Sequence, residues 1–397
     1  MSRVDTQRFL ADLDHLRGIG TYKSGVHRPT YGAEDMESRR WLMAEMEAVG
    51  LEAKMDGIGN ILGRHRGSGP RLLVGSHIET QDHAGWLDGA LGVTVALALA
   101  RAGLPVDVGV YADEEGHWGN MLGSRSLVGD LDEDEIDAAR NRAGVKLRDA
   151  LAAAGLAGRP RMALEPDRYR GALEIHIEQG TQLESRGQRI GIVTGIVAIR
   201  QFRIVVEGQQ DHTGGTTMAE RRDAALSAVR LLAAIDTEFP KVCGDHSVWT
   251  TGRIVVEPNQ PMIIPGRCEI AFAFRDLSDA VMDRMEACLR AMVRESNRRE
   301  RCLASIEEVA RLKPELCDPA IVAAFAAAAD DLCPGAWRTM QSGALHDSQV
   351  LARKLPVGML FVPSIGGISH HWTEDTKRED LELGCRVMAA AAERLLG

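Results

Sequence analysis

Apolar residues recur at helical spacing from Thr6 to Leu16 and again from Asp35 to Val49, where Gly50 supplies a C-terminal stop. The period then shortens. Arg71-Leu-Leu-Val-Gly-Ser-His77 reads as a short buried strand, and Gly89 to Ala100, after a polar loop, as a buried helix. Val106 to Ala112 predicts a second strand followed by another polar, glycine-bearing loop, and an α/β sheet is the simplest architecture for such alternation. From about Phe202 to Arg311 the order becomes strand, helix, strand, strand, helix, strand, over 202–207, 220–235, 248–256, 267–275, 278–298 and 303–311. That is the ferredoxin-like βαββαβ pattern of a small sheet with helices on one face. The first style resumes with a helix from Pro319 to Leu332, a strand from Val357 to Val362 and a last helix from Asp380. The middle block therefore reads as an insertion.

A chain of 397 residues exceeds the usual single-core size, so two compact domains are expected. Apolar residues make up 45% and charged residues 26%, as in ordinary globular chains, and no stretch approaches the roughly eighteen unbroken apolar residues of a membrane span. The net charge of −10, with no basic block, argues against a nucleic-acid partner. The opening Met-Ser-Arg-Val-Asp-Thr-Gln lacks the apolar stretch of a signal peptide, and a cytoplasmic location is the resulting expectation. Seven cysteines without a C-x-x-C pair exclude a zinc ribbon or redox motif and read as buried thiols.

In open α/β sheets ligands bind beyond the carboxyl ends of strands. Four such ends carry related chemistry: His77 with Asp88 eleven residues on, Asp113-Glu114-Glu115, His176 within Leu173-Glu-Ile-His-Ile-Glu178, and His370 after Val357–Val362. Imidazoles and carboxylates able to bridge are the donors expected of a two-metal hydrolytic site for zinc or manganese. Glu114 and Glu115 are neighbours in extended chain and point to opposite sides, so one can bind metal while the other handles a proton. Serine-nucleophile, P-loop and H-E-x-x-H motifs are absent from the sequence. The Gly-Gly pairs at 214–215 and 366–367 offer backbone that could cradle an anion.

These segments, together with Gly75-Ser-His-Ile-Glu-Thr80, Gly85-Trp-Leu-Asp-Gly89, Asp211-His-Thr-Gly-Gly-Thr-Thr-Met218, Ser342-Gly-Ala-Leu-His-Asp347 and Gly367-Ile-Ser-His370, resemble the dimetal amidohydrolases of the peptidase M20 superfamily. More specifically they resemble the hydantoinase/carbamoylase branch, which holds N-carbamoyl-L-amino acid hydrolases, allantoate amidohydrolases and β-ureidopropionases. The resemblance implies an α/β, dimetal exopeptidase-like catalytic domain over 1–201 and 317–397, and an inserted ferredoxin-like lid and dimerisation domain over 202–316. It also implies two divalent ions per subunit, zinc first, with manganese, cobalt or nickel as alternatives. His77, Asp88 and His176 would hold one ion, and Asp88, Glu115 and His370 the other.

By the same resemblance Glu114 would be the general base, and His212 would reach across a homodimer to stabilise the oxyanion. Arg275 would take the substrate carboxylate, and Gln179, His346 and Asp347 would stand near the substrate or behind the metals, with Gln179 and His346 taken first as substrate-binding. The substrate implied is a ureido or amide compound with a carboxylate, first an N-carbamoyl-L-amino acid hydrolysed to amino acid, ammonia and carbon dioxide. Allantoate, another ureido acid, or an N-acyl amino acid or dipeptide are the alternatives. Three positions depart from the family pattern. Glu79 is longer than the usual aspartate that orients the first histidine, and Ile199 and Met262 replace amides expected at the substrate. A silent binding protein on the same fold is the competing class, and the intact ligand set argues against it.

Overall fold

The computed structural model describes residues 4–397, so the first three residues of the polar N-terminal stretch lie outside the described part. Contacts divide the chain into two compact units, one of residues 1–195 and 316–397, the other of 196–315.

The first unit is built on a nine-stranded mixed sheet whose centre is four parallel strands. Val357–Val362 pairs with Tyr169–Ile177, which pairs with Arg71–His77, which pairs with Val106–Tyr111. All four are buried along nearly their whole length, as expected of parallel strands covered on both faces. Alternate side chains divide between the two covers. Leu72, Val74, Val106, Val108 and Leu173 join a core with the helices Thr6–Gly18, Ala90–Arg101, Pro319–Leu332 and Arg378–Leu396. Leu73, Tyr111 and Ala172 join a separate cluster on the other face, with Leu127 and Leu351.

Asp5 caps the first helix by accepting the Arg8 N–H. The long periodic elements lie where the pattern put them: Pro319–Leu332 and Val357–Val362 are found over those same residues. Missing from the sequence reading are the antiparallel strands Glu52–Met55, Ile61–Arg64 and Ile190–Ile196, the strand Trp337–Ser342 and three short helices between 122 and 153. Such brief segments carry too little periodicity to stand out.

The second unit is a four-stranded antiparallel sheet in the order Val248–Glu257, Arg267–Asp276, Ala198–Glu207, Leu303–Leu312, with the helices Ala224–Glu238 and Asp279–Arg299 between strands in the chain. Phe202, Ile204, Phe272 and Phe274 pack with Leu231, Met285 and Leu289 of those helices. Ion pairs such as Arg203–Glu307 and Arg253–Glu269 join side chains of the same sheet. The first strand starts at Ala198, four residues before the apolar run at 202.

Five of the seven thiols are buried; Cys243 and Cys288 are half-buried, which corrects the expectation that all would be core residues. No helix among the described residues is long and apolar enough to cross a membrane.

Candidate metal centre

Because the four central strands run parallel, their carboxyl ends lie along one edge of the sheet. His77 ends one strand, Asp113-Glu114-Glu115 follows the next, His176 is the penultimate residue of the third and His370 follows the fourth. Asp88 comes from the loop before the helix Ala90–Arg101 and stands at the centre. Its Oδ1 lies 3.0 Å from His176 Nε2 and 3.3 Å from His77 Nε2. Its Oδ2 lies 3.2 Å from His370 Nε2, which is 3.5 Å from Glu115 Oε2. Donor atoms of His77, Asp88 and His176 form one group within 4.8 Å, and those of Asp88, Glu115 and His370 a second, with Asp88 common to both. Glu114 belongs to neither group, and its Oε2 is 3.7 Å from His77 Nε2.

The tautomers fit metal binding. His77 Nδ1 lies 3.0 Å from the Glu79 carbonyl and His176 Nδ1 2.9 Å from the Ile177 carbonyl. A carbonyl can only accept, so both rings place the proton on Nδ1 and leave the Nε2 lone pair for a cation. Three imidazoles and bridging carboxylate oxygens are the donor set of a paired zinc or manganese site.

Charge is concentrated here. Burial alone would depress the His77 and His176 imidazoles, yet Glu114 and Asp88 hold His77 well above its ordinary value, and Asp88 raises His176. The same histidines outweigh burial at Asp88 and hold it well below the usual carboxylate range. Glu114 goes the other way: burial, with Glu115, Asp347 and Asp88 adding, pushes it well above that range against the pull of His77.

The loops hold unusual backbone. Asp113, Gln179 and His370 have φ of 58°, 56° and 54°, in the left-handed region. Asp113 is fixed there because its carboxylate accepts the N–H groups of His117, Trp118 and Gly119 and the Thr30 hydroxyl. Gly89 has φ +68°, and a Cβ there would lie 2.5 Å from the His77 ring, so only glycine lets Asp88 approach His77 this closely.

One residue stands elsewhere than the sequence suggested, and the other candidates lie around the donor groups. The Glu79 carboxylate does not orient His77; its Oε1 is 3.9 Å from Nδ1, and the backbone carbonyl takes that bond instead. The extra methylene carries the carboxylate past the imidazole, to accept from Arg39 at 2.9 Å and from the Glu114 N–H at 2.7 Å. His346 is buried, with its ring edge-on to His176 at 4.6 Å and Nε2 3.0 Å from Ser342 Oγ, which puts it behind a candidate donor. Burial and neighbouring His176 hold it well below its ordinary value, so it is neutral. Gln179 donates to Asp88 Oδ2 at 2.9 Å and to Ser369 Oγ at 3.0 Å. Asp347 is buried and pushed up to about 8 by burial, with Glu174 adding.

In the second unit His212 lies on a two-residue ladder opposite Ile263, and its Nδ1 accepts the N–H groups of Gly214 and Gly215 at 3.2 and 3.1 Å. That pair therefore serves the histidine and does not form an anion cradle, and the ring proton sits on Nε2. At 366–367 one amide is likewise taken, Gly366 N–H donating to Glu184. Arg275 pairs across strands with Ile199, and burial lowers its guanidinium from the ordinary value.

Gln81 escaped the sequence reading: its Nε2 donates to Glu115 Oε2 at 2.9 Å and to the Glu115 carbonyl at 2.7 Å. Its only signal was a position four residues past His77. Beside Gln81 and Glu115 opens a cavity of about 460 Å³ walled by Tyr31, His117, Trp118 and Arg142, large enough for an amino-acid-sized ligand.

Fold and candidate donor groups together are those of the α/β hydrolases that typically hold two metals. The family described as Peptidase family M20/M25/M40 matches residues 80–394. The N-carbamoyl-L-amino-acid amidohydrolase of Paenarthrobacter aurescens is 33% identical, over 98% of this chain and 99% of that one. The allantoate amidohydrolase of Bacillus subtilis is 32% identical, over 94% and 95%. A crystal structure of an amidase of the hydantoinase/carbamoylase family from Burkholderia phymatum superposes with a TM-score of 0.94 at 43% identity, covering 100% of this chain and 99% of that one. The chain belongs to peptidase family M20 and, within it, to the hydantoinase/carbamoylase amidases, amidohydrolases that act on C–N bonds.

Proposed function

We propose that the protein hydrolyses the carbamoyl group of an N-carbamoyl-L-amino acid, using two divalent ions, zinc first. The observation that carries this reading is the convergence of three imidazole Nε2 atoms on the two oxygens of Asp88, with Glu115 and Glu114 at the same place. His77, Asp88 and His176 would hold one ion, and Asp88, Glu115 and His370 the other. When bound, such ions polarise a carbonyl and make water nucleophilic near neutral pH.

The chain's own residues do the rest. Glu114 takes a proton from the attacking water at its carboxylate and returns it to the leaving nitrogen; a carboxyl raised by burial suits a base and acid working near neutrality. His212 of the partner subunit in a homodimer donates Nε2–H to the developing oxyanion, the tautomer favoured by its bonds to Gly214 and Gly215. Arg275 receives the substrate carboxylate as a guanidinium fork. His346 keeps His176 in place, and Gln179 fixes Asp88. One water and one N-carbamoyl amino acid give one amino acid, one ammonia and one carbon dioxide.

Allantoate or another ureido acid is the second reading, favoured by the 32% identity to an allantoate amidohydrolase. The 33% identity to an N-carbamoyl-L-amino-acid amidohydrolase, over 98% of this chain and 99% of that one, supports the carbamoyl amino acid. The test is ammonia and free-amine release by zinc- or manganese-loaded protein from N-carbamoyl-L-amino acids, allantoate, acyl amino acids and dipeptides. Metal-dependent ammonia, greatest with carbamoyl amino acids, is expected. Faster turnover of allantoate would select the second reading, and amine without ammonia would overturn both.

A further inference from the structure

Glu374 lies four residues beyond His370, is almost fully buried, and belongs to neither donor group. Its Oε1 accepts the N–H of Leu87 and the N–H of Asp88, each at 3.1 Å. Its Oε2 accepts the Ser369 hydroxyl at 3.0 Å. Ser369 Oγ in turn accepts from Gln179 Nε2, and Gln179 donates from the same nitrogen to Asp88 Oδ2. The chain of bonds closes on itself: Asp88 backbone, Glu374, Ser369, Gln179, Asp88 side chain. Two segments far apart in sequence are thereby clamped, the loop that carries Asp88 and the Gly-Gly loop that carries His370.

The clamp has its own steric provision. A Cβ at Gly85 would fall 1.9 Å from the Glu374 carboxyl carbon and from its Oε1, so no other residue at 85 leaves the carboxylate where it is. His370, in contrast to His77 and His176, is half-exposed, carries a left-handed φ, and is met through Nε2 by Asp88, Glu115 and Gln179. The two rings of the first group are buried and each is tied to a carbonyl through Nδ1. Loss of the clamp therefore falls on one donor group more than on the other.

We propose that Glu374 is a positioning residue that sets the distance between Asp88 and His370, and through it the affinity of the Asp88, Glu115, His370 group for its ion. The inference rests on the two-metal reading of the site. Glutamine can imitate the clamp: its amide oxygen accepts both backbone N–H groups and its amide nitrogen donates to Ser369 Oγ, whose proton turns to Asp88 Oδ2, 3.3 Å away. Alanine cannot.

The experiment is zinc binding to the metal-free full-length protein by calorimetric titration, with metal content by emission spectroscopy and folding by circular dichroism. The parent is expected to bind two ions. E374A is expected to keep the tighter ion and bind the second at least tenfold more weakly, while E374Q stays within about threefold of the parent. S369A, which removes the hydroxyl's bonds to Glu374, Gln179 and Asp88 and leaves the Glu374 carboxylate on its two backbone N–H groups, is expected to weaken the second ion alone and covers the case in which E374A does not fold. G85A, which displaces the carboxylate without removing it, should behave like E374A. Two ions bound to folded E374A or S369A with parental affinity would overturn the proposal, as would equal weakening of both ions. A parent that binds no ion would instead bring down the two-metal reading beneath it.

Discussion

Replacing Glu114 with glutamine tests the assignment of the proton carrier with little disturbance elsewhere. The side chain keeps its size, lies 3.7 Å from His77 Nε2, beyond hydrogen-bond range, and is in neither donor group, so ion binding should survive. What disappears is a carboxylate that burial and its acidic neighbours have raised well above the ordinary range. An amide cannot take a proton from water, so kcat for ammonia release should fall ~10²- to 10⁴-fold, or ~3–5 kcal/mol in the barrier. KM should change much less, because the lost interaction is made in the transition state.

The metal-free variant should also respond differently to pH. A carboxyl raised on folding binds its proton more tightly in the folded state, so its stabilisation is complete below the unfolded value and is lost as pH rises through the folded value. The glutamine variant lacks that decline and should unfold at a higher temperature than the parent in alkaline buffer. Ammonia release is measured at saturating N-carbamoyl amino acid, with zinc content taken on the same sample. Turnover within tenfold of the parent at full metal occupancy would refute the role given to Glu114.

Zinc affinity of the metal-free protein should rise with pH between 6 and 8, because the hydrogen bond to Asp88, with Glu115 adding, pushes His370 up to about 9 and the ion must displace that proton. One proton released corresponds to about a hundredfold over those two pH units; a pH-independent affinity in calorimetric titration would contradict it. Chelation should abolish turnover and lower the melting temperature, since an ion present at about a hundred times its Kd adds ~2.7 kcal/mol to the folded state. Arg275→Leu should raise KM for a carboxylate substrate roughly ten- to hundredfold, the ~1.5–3 kcal/mol of a charged hydrogen bond, with a smaller change in kcat; an unchanged KM would remove the proposed anchor. Asp347→Asn should raise the melting temperature of the metal-free protein more at pH 9 than at pH 6, since a carboxyl pushed up to about 8 loses its folded-state advantage across that interval.

Much of the fold was legible because its long elements carry their own period. The runs at Pro319–Leu332 and Val357–Val362 needed no partner to be read, and the strand-helix order of the middle block follows from segments that each alternate or repeat alone. Candidate donor types were legible for a topological reason: in a parallel sheet every strand's carboxyl end reaches the same edge, so His77, the Asp113-Glu114-Glu115 run, His176 and His370 could be picked out as candidates before any contact was known, and the family resemblance singled out Glu115 within the run. Short antiparallel strands such as Glu52–Met55 were not, because pairing with a distant strand defines them and four residues carry no period.

What the sequence by itself determined, then, was the order of elements and the chemistry available at one edge of a sheet. Tertiary structure alone decided how that chemistry is held. Gln81 meets Glu115 across 34 residues and Glu374 meets Asp88 across 286, separations no local pattern can encode. It also decided that the Glu79 carboxylate passes His77 by and settles against Arg39 and the Glu114 amide. The physical reason is that a hydrogen bond between buried groups depends on tenths of an ångström and on which lone pair is free, and these are fixed only when several remote segments pack at once.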